Sequence, residues 1–192
     1  MMHTADLLKV FAEHRGDAIV ISGRGGRHWI NLSDTVLDVP LGDPAMGGHA
    51  GFGLGLALAQ PNRRVVLFDS EGDILMSMGQ LATIAEQAPA NFYHFVLDNE
   101  VYATTGGQPV PNSKNIDYAG IARSCGYPRA ANYADLDSFT KDLPAILRQP
   151  GPAFISCKVW PEVENTPIGQ RVRWRKRSSD KVVQDLRGAL GQ

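Results

Sequence analysis

Apolar residues in this chain follow two rhythms. Short unbroken runs, "DAIVIS" (17–22), "RRVVLFD" (63–69), "NFYHFVL" (91–97) and "PAFISCKVW" (152–160), have strand length and no polar alternation. Each predicts a strand covered on both faces. Between them the apolar spacing shifts to three and four residues. Leu7, Leu8, Val10 and Phe11 form a stripe on a helix that Thr4 can cap and Gly16 ends. Leu75, Met78, Leu81 and Ile84 mark one face of a helix over "GDILMSMGQLATIAEQA" (72–88). Further helices are expected over 116–125, over 135–149 with Asp135 or Asp137 as cap, and over 180–190. The stretch "MGGHAGFGLGLALAQ" (46–60) is different, being apolar all round and full of glycine. Such a composition weakens a helix but lets another backbone or a ligand come very close. Strands alternating with helices predict an α/β fold, a doubly wound, mostly parallel sheet with helices on both faces. Ligands of such sheets sit beyond the carboxyl ends of the strands. The loops "DSEGD" (69–73) and "DNEVYATTGGQPVPN" (98–112) fall there.

Composition narrows the field. A length of 192 residues suits one domain, here 1–192, ending in a basic tail from about residue 168. A net charge of −1 gives no whole-chain drive toward nucleic acid or an acidic membrane surface, so neither is expected as a partner. The two cysteines, Cys125 and Cys157, form no CxxC and read as small buried hydrophobes in a reducing compartment. The N-terminus lacks the build of a signal peptide, and no apolar run approaches the roughly 20 residues of a membrane span. These features point to the cytoplasm. "GRGGRHW" (23–29) reads as a surface loop able to hold an anion through Arg24 or Arg27. "RVRWRKRSS" (171–179) reads as a solvated tail, with contact to an acidic substrate or partner as the alternative.

The strand-end loops carry the chemistry. Glu71 offers a carboxylate and Asn99 an amide carbonyl at the next strand end. Oxygen donors of this kind suit Mg²⁺, which keeps few protein ligands and fills its shell with phosphate oxygens. The acids of "DSEGD" would then meet a phosphate through a cation rather than directly.

In order and spacing, "PAMGGHAGFGLGLALAQPNRRVV", "RVVLFDSEGDILMSMGQLATIA" and "FVLDNEVYATTGGQ" resemble the diphosphate-binding domain of thiamine diphosphate enzymes. That family carries Gly-Asp-Gly after one strand and Asn-Asn after the next. The wording "LDN…Y…TGGQ" is most similar to sulfopyruvate decarboxylase beta subunits and phosphonopyruvate decarboxylases. The resemblance implies thiamine diphosphate and Mg²⁺ as cofactors. It places Glu71, Asn99 and the backbone carbonyl of Val101 on the metal. It places Pro44, Ala45, Met46, Gly47, Ser70, Gly72, Asp73, Tyr102 and Thr104 around the cofactor, with Met46 bending it and the Pro44 carbonyl accepting from its aminopyrimidine. His49 falls near the thiazolium as a candidate catalytic residue. Glu71 stands where the family has Asp, and Asp98 where it has the first Asn. A second register, with Gly72-Asp73 as the metal motif, stays open. So does a degenerate subunit that has lost the metal.

The resemblance further implies decarboxylation of a 2-oxo acid. The Glu that activates the cofactor would come from a separate pyrimidine-binding subunit, in a hetero-oligomer with two or more copies of each chain. A carboligase of acetolactate synthase type and a 2-oxoacid oxidoreductase subunit are the enzymatic alternatives. A nucleotide-binding module is the alternative of another class, weakened because no strand directly precedes "GFGLG".

Overall fold

The computed structural model describes residues 1–42, 47–171 and 173–191. Eight strands and seven α-helices alternate along these residues: α1 (Thr4–Ala12), β1 (Ile19–Ser22), β2 (Asp38–Pro40), α2 (His49–Ala59), β3 (Val65–Ser70), α3 (Glu71–Met76), α4 (Gly79–Gln87), β4 (Phe92–Asp98), β5 (Val101–Tyr102), β6 (Gln108–Pro109), α5 (Tyr118–Ser124), β7 (Arg129–Tyr133), α6 (Leu136–Arg148), β8 (Ala153–Lys158) and α7 (Ser179–Ala189). Six strands form one sheet in the order β2-β1-β3-β4-β8-β7, with every pairing parallel. β5 and β6 make a separate small antiparallel hairpin.

Alternate residues of the central strands feed two cores. From β3, Val66 and Phe68 face Leu8, Phe11, Trp29, Phe95 and Phe139, whereas Val65 and Leu67 face Leu54, Ala57, Ile84, Phe92 and Phe154. The first core lies under α1 and α6, the second under α2, α4, α5 and α7. Fully burying a side chain of this size contributes about 1.5–3 kcal/mol, so a strand with both faces covered anchors two layers at once. The chain runs from β1 outward to β2 and then returns to place β3 on the other side of β1. That reversal opens a crevice at the carboxyl ends of β1 and β3, the usual ligand position in such sheets.

Several local expectations need correction. Thr4 is the first buried residue of α1, not its cap; the cap position is His3, whose side chain makes no capping bond. The helix expected over 72–88 is broken. α3 ends at Ser77, whose N–H is shared between the carbonyls of Asp73 and Ile74, and α4 starts afresh at Gly79. Gln80 then donates to the Gly47 carbonyl, tying the start of α4 to the corner before α2. β2 and β7 escaped the sequence pattern, because one is short and the other, "RAANY", is half-buried with few large apolar residues. The basic tail is only partly solvated: Arg173 and Lys176 are exposed, but Arg177 is held. Arg177 donates to the carbonyls of Thr35 and Asp38 at 2.7 and 2.8 Å and pairs with Asp34 and Asp185, which ties α7 to edge strand β2. Cys157 is core, and Cys125 is half-buried. Among the described residues, no helix is long and apolar enough to cross a membrane.

Candidate cofactor site

Three loops leave the sheet at the crevice: residues 23–26 after β1, 69–73 across the end of β3, and 98–101 after β4. Ser70 caps α3 by accepting the Asp73 N–H, as expected of a serine before a short acidic turn. Asp73 uses both carboxylate oxygens. Oδ1 accepts the Gly47 N–H at 2.7 Å and Oδ2 accepts the Ser70 hydroxyl at 2.7 Å. Gly47 has φ +74, and a Cβ there would run into the Ser77 side chain, so this corner requires glycine. Gly72 lies under the Tyr102 ring, close enough that an added Cβ would sit 3.3 Å from it. Pro44, Ala45 and Met46, expected to face the thiamine, fall outside the described residues.

Five acids lie in these loops, and four of them, Glu100 with Lys158 and Lys114 included, have cationic or imidazole partners. Asp69, 1% exposed, lies between His49 Nδ1 at 3.4 Å and His94 Nε2 at 3.1 Å. Burial works against its charge, but the two histidine hydrogen bonds hold the carboxyl well below its usual range. Asp73 faces His49 Nδ1 at 3.7 Å. Asp98, which stands where an Asn was expected, meets Lys158 Nζ at 2.8 Å. Burial still raises the Asp98 pKa against the opposing charge of Lys158.

Glu71 is the exception. It is 1% exposed, and neither carboxylate oxygen has a hydrogen-bond partner among the described residues. Burial pushes it up to about 8, with the charge of Asp98 adding to the effect. The nearby N–H groups of Glu71 and Asn99 oppose that shift without closing a bond to either oxygen. A buried carboxyl with both oxygens orphaned is costly unless a proton or a cation compensates it.

A cleft opens above this floor. Its lining includes Ser70, Gly72, Asp73, Asn99, Val101, Tyr102 and Thr104, so the structure gathers seven of the predicted residues in one place. Glu71 lies just beneath, with Ser70 and Gly72 on either side of it reaching the surface of the cleft. Asn99 Oδ1 accepts the Val101 N–H at 3.0 Å and keeps a second lone pair. Glu100 between them adopts φ +67, held by Lys158 at 2.8 Å and by Lys114. His49 is 2% exposed and does not line the cleft. Arg24 and Arg27, from the loop read as able to hold an anion, and Arg171 of the basic tail also line the cleft. What was not foreseen is the partners they meet there, Glu162 for Arg27 at 2.6 Å and the Thr104 carbonyl for Arg171 at 2.7 Å. Asp69 was read only as one of the loop acids and Lys158 was not singled out, although a charged residue closing a buried strand is the signal that marks each.

The donor set fits a hard divalent cation. Glu71 brings an unsatisfied carboxylate, Asn99 a carbonyl with capacity to spare, and a closed loop positions the Val101 backbone beside them. The family described as thiamine pyrophosphate enzyme, C-terminal TPP binding domain, matches residues 18–157. The chain belongs to this family. Among curated proteins, a phosphonopyruvate decarboxylase of Streptomyces viridochromogenes is 37% identical over 159 residues, covering 82% of this chain and 39% of the relative. A second, from Streptomyces hygroscopicus, is 42% identical over 117 residues, covering 61% of this chain and 29% of its own length. The sulfopyruvate decarboxylase subunit beta of Methanothermobacter thermautotrophicus is 40% identical over 124 residues, 65% of this chain and 63% of that subunit. The chain thus spans less than two thirds of each of these relatives. A solved chain from Mycobacterium smegmatis, provisionally assigned as a thiamin diphosphate-dependent enzyme, superposes with a TM-score of 0.69 at 21% identity. It covers 84% of this chain and 32% of the other, and it shows that the fold is shared.

Proposed function

We propose that this chain is the cofactor-anchoring subunit of a cytoplasmic thiamine diphosphate- and Mg²⁺-dependent 2-oxo acid decarboxylase. The observation that carries the metal assignment is Glu71, buried with neither oxygen partnered among the described residues while Asp69, Asp73 and Asp98 all have basic groups beside them. Glu71, the Asn99 side chain and the Val101 carbonyl would hold the ion. Ser70, Gly72 and Gly47 would border the diphosphate, with Tyr102 and Thr104 walling the cleft and Pro44 to Met46 flanking the thiamine. The Gly72-Asp73 register has less support, because Asp73 already accepts from Gly47 and Ser70. When bound, thiamine diphosphate supplies the carbon nucleophile and the electron sink for loss of CO₂. The protein supplies position, exclusion of water and charge compensation.

Two observations support a partner subunit that brings the activating Glu. The chain corresponds to 39% of a phosphonopyruvate decarboxylase and resembles chains named subunit beta, so the relatives carry or assemble with more protein than this one. The outer face of α2 also bears no charge: its exposed residues are Gly51, Phe52, Gly55, Leu58 and Ala59, with Phe52 38% and Leu58 50% exposed. A helix apolar on every side belongs in an interface. The names of the relatives favour a substrate that carries a second anionic group, as phosphonopyruvate and sulfopyruvate do.

Calorimetry of the chain with thiamine diphosphate, with Mg²⁺ and with EDTA tests the anchoring role. Release of CO₂ from phosphonopyruvate, sulfopyruvate and pyruvate, with and without the co-expressed partner, tests the reaction. Magnesium-dependent binding, with turnover only in the assembled pair, is expected. Full turnover by the chain alone, or no binding under any condition, would refute the assignment.

A further inference from the structure

His49 is placed with more care than a core histidine requires. It opens α2, and its side chain is 3% exposed. Nδ1 faces two carboxylates on β3 and α3, Asp69 Oδ1 at 3.4 Å and Asp73 Oδ2 at 3.7 Å. On the β1 side Gly23 gives it room, since a Cβ there would come within 3.1 Å of the ring. Nε2 is buried with no partner among the described residues, and the ring does not reach the cleft. His49 is therefore out of reach of a substrate, whereas Asp73, which it faces, lines the cleft.

We propose that His49 is a positioning residue that offsets the negative charge of Asp73, so that an anionic cofactor group can approach a loop that would otherwise repel it. This deepens the reading of the cleft as a diphosphate site and rests on it. Asp73 lies two residues from Glu71 and has no cation of its own on α3. It is nonetheless useful, because it holds the Gly47 N–H at the corner from which α2 departs. A histidine on the other side of that corner keeps the hydrogen bond and removes the repulsion. Its charge state agrees. Burial opposes the imidazolium, but the hydrogen bond to Asp69 and the nearby carboxylates of Asp69 and Asp73 outweigh burial and raise the pKa to about 10. Asp69, shared with His94, fixes the ring so that it stays beside Asp73.

The test is a double-mutant cycle on the full chain, read by calorimetry with thiamine diphosphate plus Mg²⁺ and by thermal unfolding. His49→Gln should weaken binding by about tenfold or more, and Asp73→Asn should tighten it. The double variant should bind like Asp73→Asn alone, because His49 has nothing to offset once the Asp73 charge is gone, and that departure from additivity measures the coupling between the two sites. Equal losses from His49→Gln in the presence and absence of the Asp73 carboxylate would overturn the role. So would unchanged affinity in a folded His49→Gln protein, which would mark the histidine as structural only. Should His49→Gln fail to fold, Asp73→Asn decides alone: tighter binding supports the proposal, and a tenfold loss makes Asp73 a ligand and overturns it. A wild-type chain that binds nothing would instead refute the diphosphate site itself.

Discussion

Lys158 and Asp98 are register partners at the ends of β8 and β4, and the lysine ammonium comes within 2.8 Å of a carboxylate that is only 2% exposed. The same ammonium reaches Glu100 at 2.8 Å and so holds the turn between Asn99 and Val101. Replacing Lys158 with Met strands a buried acid, which costs about 1–3 kcal/mol. Urea denaturation should show that loss, and Asp98→Asn in the same chain should recover most of it. No recovery would mean that the lysine acts through packing alone.

Glu71→Gln keeps the size of the side chain and removes the charge. Magnesium-dependent binding of thiamine diphosphate should fall by at least about 100-fold, at the upper end of what metal-site changes cost, while the far-ultraviolet circular dichroism stays unchanged. Retained binding in this variant would move the metal away from Glu71.

The exposed face of α2 can be tested through assembly. Phe52→Glu places a charge in the middle of the apolar patch without touching the buried residues His49, Ala50, Gly53, Leu54 and Ala57. The variant should fold with an unchanged melting temperature and fail to co-purify with the proposed pyrimidine-binding subunit. Co-purification at wild-type yield would place the interface elsewhere.

His49 also makes stability depend on pH. Its pKa rises on folding from 6.5 to about 10, with Asp69 of β3 and Asp73 of α3 facing its Nδ1. Below pH 6.5 folded and unfolded chains both hold the proton, and the stabilisation is complete. As pH climbs from 6.5 toward 10 the unfolded chain releases the proton first, so stability falls. The difference between wild type and His49→Gln in urea midpoints should shrink across that window. A constant difference would show that the ring carries no extra charge when folded.

The fold was readable where burial alone shaped the sequence. β3, β4 and β8 are unbroken apolar runs because both faces are covered, and α6 showed its stripe and its Asp135 cap, which accepts the Ser138 N–H. β7 hid because packing at the sheet edge tolerates "RAANY". The break between α3 and α4 hid because the apolar spacing runs on across it, while Gln80 just beyond it is tied to Gly47, 33 residues away in sequence. The loops that form the cleft were legible through three motifs in the right order. Their charge balance was not, since Asp98 finds Lys158 sixty residues away and Asp73 finds His49 on another helix. Such pairings depend on strand order, which no single stretch of sequence reveals.

The uncharged outer face of α2 also bears on supply. If α2 is the seam with the proposed second subunit, a copy made without that subunit exposes Phe52 and Leu58 to water and to other copies of itself. Output of two such chains would then have to be matched, and expression of this one alone should give a protein that clumps as its concentration rises.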